Sequence, residues 1–68
     1  MDRLDLLIIA DEHKINREVF AKFIEQCFPK EQNKSYVHEW AVRFSTGAPQ
    51  IYMDKESKKI YQTILDEW

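Results

Sequence analysis

At 68 residues the chain has room for one domain with a thin core, since a chain of this size buries only about 60% of the surface it exposes when unfolded. Leu, Ile, Val and Phe supply 18 residues, enough for a globular fold, while one glycine and two prolines exclude a turn-rich β-barrel, a glycine-rich phosphate loop and a flexible linker between modules. Ten Lys/Arg against twelve Asp/Glu leave a net charge of −2, without the basic excess by which nucleic-acid-binding domains displace counterions.

The first segment, residues 2–14, has a wide apolar surface. Leu4, Leu7 and Ile8 share one helical face and Leu6, Ile9 and Ala10 another, and the β-branched Ile8-Ile9 pair also suits a buried strand. Helix is the better reading. Asp2 serves as N-cap, Asp5 lies in the first turn, and His13-Lys14 sit at the carbonyl end, which is the charge order a helix dipole favours. A lone strand also finds few pairing partners in the rest of the chain.

The second helix, residues 16–28, is the clearest. Asn16 reads as its N-cap, Ile15 and Phe20 are placed for a hydrophobic staple, and Ile15, Val19, Phe20, Phe23, Ile24, Cys27 and Phe28 recur at spacings of three and four. Glu18 and Lys22 stand in the favourable i,i+4 order on the polar side, and Pro29 ends the helix. After the polar connector 29–34, Ser35 offers an N-cap for a third helix, 35–46, with Val37, Trp40, Ala41 and Phe44 as its apolar stripe and Tyr36 at the margin. Gly47 suits the left-handed residue after the last turn, and Pro49 forbids continuation. Ile51, Tyr52 and Met53 then cover the open end of the core. Asp54 caps a fourth helix, 54–68, whose Ile60, Tyr61, Ile64, Leu65 and Trp68 follow the helical period. The expected fold is all-α: one domain over 1–68, a bundle of four short helices.

No constellation of catalytic or metal-binding side chains stands out. His13 and His38 belong to different elements and take surface or cap roles, Cys27 is a lone thiol on an apolar stripe, and no HExxH or CxxC spacing occurs. Carboxylate pairs such as Asp11-Glu12 and Asp66-Glu67 are sequential neighbours at helix ends. The chain is therefore expected to be no enzyme and to need no metal or cofactor. The apolar run Leu6–Ala10 is far short of the roughly 18 residues that cross a bilayer, and Met1–Asp5 lacks the positive start of a secretory signal. With a single cysteine, a reducing, cytoplasmic setting is expected.

The fourth helix carries Lys55, Lys58 and Lys59 at its start and Asp66 and Glu67 at its end, opposite to the order the dipole favours. That arrangement marks an anion or acidic-surface contact, extended by Arg43 and Lys34 if the third and fourth helices pack side by side. Nine aromatic rings are more than four short helices enclose, so Tyr52, Tyr61 and Trp68 are expected to meet a protein partner or a second copy of the chain. The leading expectation is a small cytoplasmic interaction module, a regulator or inhibitor of a larger protein, by analogy of size with those that phages and mobile elements encode. The alternative is a helix-turn-helix-like nucleic-acid binder using the lysine-rich helix start. Against it stand the long Gly47–Asp54 connection and the acidic helix end.

Overall fold

The computed structural model describes residues 1–68 and contains four α-helices and one short 3-10 turn: α1 (Arg3–Glu12), α2 (Arg17–Cys27), α3 (Lys34–Ser45), the turn Pro49–Tyr52, and α4 (Lys55–Glu67). The expected all-α bundle is what forms. Segment 1 is a helix, and the ambiguity of its wide apolar surface resolves into an inner face, Leu6, Ile9 and Ala10, which is buried, and an outer pair, Leu4 and Ile8, which is exposed. α2 lies at the centre, packed along both α1 and α4, while α3 crosses against α1 and α2.

Each boundary has a local cause. Asp2 occupies the N-cap position of α1 in extended backbone, but its side chain makes no capping hydrogen bond. α1 ends at Glu12, two residues earlier than the charge pattern suggests. The reason is Lys14, whose φ of 58° lies in the left-handed region and lets the Lys14 N–H reach the Asp11 carbonyl (3.1 Å) and the Ile15 N–H reach that of Ala10 (3.1 Å). These two bonds form a Schellman motif, a helix stop usually built with glycine. Asn16 caps α2 as expected, its Oδ1 accepting from the Val19 N–H at 3.0 Å.

The start of α3 differs from expectation. Asn33, not Ser35, is the N-cap: its Oδ1 accepts from the N–H groups of Ser35 (2.9 Å) and Tyr36 (3.3 Å), so the helix starts at Lys34. One amide oxygen thereby satisfies two of the backbone donors that the first turn of a helix leaves without an intrahelical partner. At the other end Gly47 takes φ 89° and donates its N–H to the Phe44 carbonyl at 3.1 Å, while the Ser45 and Thr46 hydroxyls bond the carbonyls of Val42 and Arg43, both at 2.7 Å. In the connection that follows, Pro49 and Met53 are buried, but Ile51 is 73% exposed and does not cover the core. Asp54 caps α4 by accepting from the Ser57 N–H at 2.8 Å.

The core is a continuous aromatic cluster. Phe23, fully buried at its centre, meets Phe28 (6.0 Å between ring centroids), Trp40 (5.2 Å), Phe44 (5.3 Å) and Tyr61 (5.9 Å) in tilted or edge-to-face geometry. Phe20 joins through Phe44, and Tyr36 through Phe28. Seven of the nine rings are thus drawn into one network that spans α2, α3 and α4. Such pairs contribute about 0.5–1.5 kcal/mol each beyond burial. Leu6, Ile9, Ile24, Val37 and Ile64 fill the space around them.

Candidate functional site

The structure separates the three aromatic residues singled out in the sequence. Tyr61 packs between Phe23 and Phe44 (5.4 Å to the latter), and burial pushes its phenol above the ordinary range. Tyr52 and Trp68 stand out from the fold, 52% and 61% exposed. Trp68 carries the Lys22 ammonium over its ring at 5.6 Å and lines a shallow depression of about 340 Å³ with Asp11, Ile15, Asn16, Arg17 and Glu18.

Arg43 does not join the lysines, because α4 packs along α2 and not side by side with α3. Its guanidinium instead lies 4.7 Å from the ring centroids of both Trp40 and Tyr52, and donates to Glu39 at 2.9 Å. Trp40 is buried, so the arginine bridges a core ring to an exposed one and holds Tyr52 in place at the outer end of the 3-10 turn. The indole Nε1 of Trp40 is the one buried side-chain polar atom without a hydrogen-bond partner.

Lys55, Lys58 and Lys59 are all exposed, and none takes part in an ion pair. Glu56, in the same first turn, forms no ion pair with them. Only Met53 and Asp54 therefore separate an exposed phenol from the first of three unpaired ammonium groups at the start of α4. Lys34 lies elsewhere, in a depression of about 330 Å³ with Met1, Asp2, Asp5 and Gln32. None of the three depressions on the surface is lined by Tyr52 or by the α4 lysines.

Other polar side chains are engaged within the fold. Arg3 reaches from α1 to both Glu18 and Glu25 on α2, which takes Glu18 away from the i,i+4 partner the sequence offers it, Lys22. Cys27 is half-buried beside Ser57 at the start of α4. Burial pushes its thiol up, the Ser57 hydroxyl acts in the opposite direction, and the Asp54 charge adds to the rise. No group of three or more His, Cys, Asp or Glu side chains converges as a metal site.

One contact escapes any reading of the sequence. His13 caps α1 and His38 lies in α3, yet His13 Nε2 and His38 Nδ1 are 3.1 Å apart, with ring centroids at 5.3 Å. The only sequence signal for it is that the two predicted helices each carry one histidine; which faces meet is set by packing.

No family model, no curated protein and no solved structure matches the chain. No helix is long and apolar enough to cross a membrane.

Proposed function

We propose that the chain is a non-enzymatic protein-interaction module that binds an acidic surface of a larger protein through Tyr52 and the start of α4. The observation that carries this reading is the juxtaposition, within eight residues of chain, of an exposed aromatic ring held by Arg43 and three exposed, unpaired lysines, Lys55, Lys58 and Lys59. A ring held in place loses little side-chain freedom on binding, and tyrosine is among the residue types that dominate interface energetics. Unpaired ammonium groups close to it in the chain raise the encounter rate with an acidic partner. Trp68 forms a second exposed aromatic contact, while Tyr61 supports the surface from within the core.

On this reading the protein regulates or inhibits its target by occupying a surface, alone or as a homodimer. A cytoplasmic setting suits Cys27, a single thiol with no intramolecular partner.

Affinity capture of the tagged chain from a lysate, with nuclease treatment as a control, tests the proposal. The expected result is a protein partner that survives nuclease and is lost with Tyr52→Ala and with Lys58→Glu/Lys59→Glu, both variants keeping the helical circular dichroism of the parent. Capture unchanged by both variants overturns it. The lysines also suit a phosphate backbone, so a fluorescent duplex is titrated at about 50 and 200 mM salt; salt-dependent binding there replaces the protein reading with a nucleic-acid one.

A further inference from the structure

His13 and His38 are the only histidines in the chain, and both rings are half-buried where the carboxyl end of α1 meets α3. The 3.1 Å contact between Nε2 and Nδ1 is of hydrogen-bonding length, which requires one ring N–H and one ring lone pair. A first proton leaves that bond intact, with a cationic ring donating to a neutral one. A second proton removes the only acceptor and sets two cations in near contact.

The surroundings do not offset that second charge. All four ion pairs of the molecule are made by arginines, and neither histidine has a carboxylate within ion-pairing distance. On the α1 side Asp11 is paired with Arg17, Glu12 is exposed, and Lys14 adds a positive charge. On α3 Glu39 is held by Arg43 and Lys34 lies in the depression it shares with Asp2 and Asp5, while Glu18 and Glu25 of α2 are taken by Arg3.

We propose that the His13–His38 pair is an acid-sensitive latch, which fastens the end of α1 to α3 at neutral pH and releases it when both rings are protonated. The folded pair keeps its bond with no proton or one added, whereas two separate imidazoles in the unfolded chain each take one. Folding therefore binds fewer protons in acid, and stability falls as pH falls through the imidazole range.

Urea unfolding of the full chain at about pH 7.5 and pH 5.0 tests the latch, because histidine is the only side chain that ordinarily titrates between these values. The unfolding constant of the parent is expected to rise roughly tenfold in acid, the equivalent of losing one hydrogen bond. In a His13→Gln/His38→Asn variant, whose amides hydrogen-bond without titrating, the rise is expected to stay below about twofold. A flat response in the parent, or an equal rise in the variant, overturns the proposal. A measurement on the parent alone decides the case if the variant does not fold: the two imidazole resonances are expected to titrate in separate, coupled steps, and two independent single-proton curves overturn the latch.

Discussion

At the scale of single residues, the helix ends show where local chemistry is settled and where it is strained. Lys14 holds a left-handed backbone that disfavours side chains bearing a Cβ, so Lys14→Gly is expected to stabilise the protein by about 0.5–1 kcal/mol, read as a higher urea midpoint at unchanged slope. Gly47 has the same conformation but already the right residue. Nothing lies within 4 Å of a Cβ placed there, so the cost of Gly47→Ala, about 1 kcal/mol, comes from backbone strain and not from a clash. The caps of α3 give a sharper comparison. Asn33→Ala is expected to destabilise by about 1 kcal/mol and Ser35→Ala by only a few tenths, because the bonds to the first turn come from Asn33. Equal losses in parallel thermal melts would reassign the cap.

At the scale of elements, a carboxylate sets the start of α4. Asp54 accepts from the Ser57 backbone N–H, and this bond holds its carboxyl below the ordinary carboxylate range. A group depressed in the folded state contributes its stability above the unfolded carboxyl's titration, near pH 4, and loses it as pH falls through the lower folded value. The first turn of α4 is therefore expected to loosen only in strong acid, with the Ser57 amide losing hydrogen-exchange protection there; Asp54→Asn, which caps without titrating, is expected to remove the pH dependence. This window lies well below the one in which the histidine pair acts, so the two effects separate in a single titration. Four helices, their apolar stripes, the Gly47 stop and the Asn16 and Asp54 caps were legible in the sequence because each rests on spacing or on a residue's own conformational preference. The Lys14 stop was not, since nothing in a lysine advertises a left-handed backbone. Nor was Asn33, which reads as part of a polar connector until its side chain is seen over the next turn.

At the scale of the whole molecule, the sequence announced a surplus of aromatic residues but not its distribution. Ring count and helix length imply that some rings stay outside; only packing decides that Tyr61 goes in, that Tyr52 is held out by Arg43, and that α4 lies on α2 so that Arg43 and the lysines part company. The same packing concentrates stability at one point. Phe23 touches four other rings, Phe28 just after α2, Trp40 and Phe44 in α3, and Tyr61 in α4, and it is fully buried. Truncating a core phenylalanine costs about 3–5 kcal/mol, and a single core in a chain of this size rarely supplies more than that in total. Phe23→Ala is accordingly expected to abolish cooperative unfolding at 25 °C, whereas Ile51→Ala, at the most exposed large apolar side chain, is expected to change stability by no more than about 0.5 kcal/mol. Denaturant titrations followed by tryptophan fluorescence check both, since Trp40 lies against Phe23 and reports directly on the cluster. A Phe23→Ala chain that still unfolded in one sharp transition would mean that the aliphatic contacts of α1 and α2, and not the aromatic network, hold the fold together.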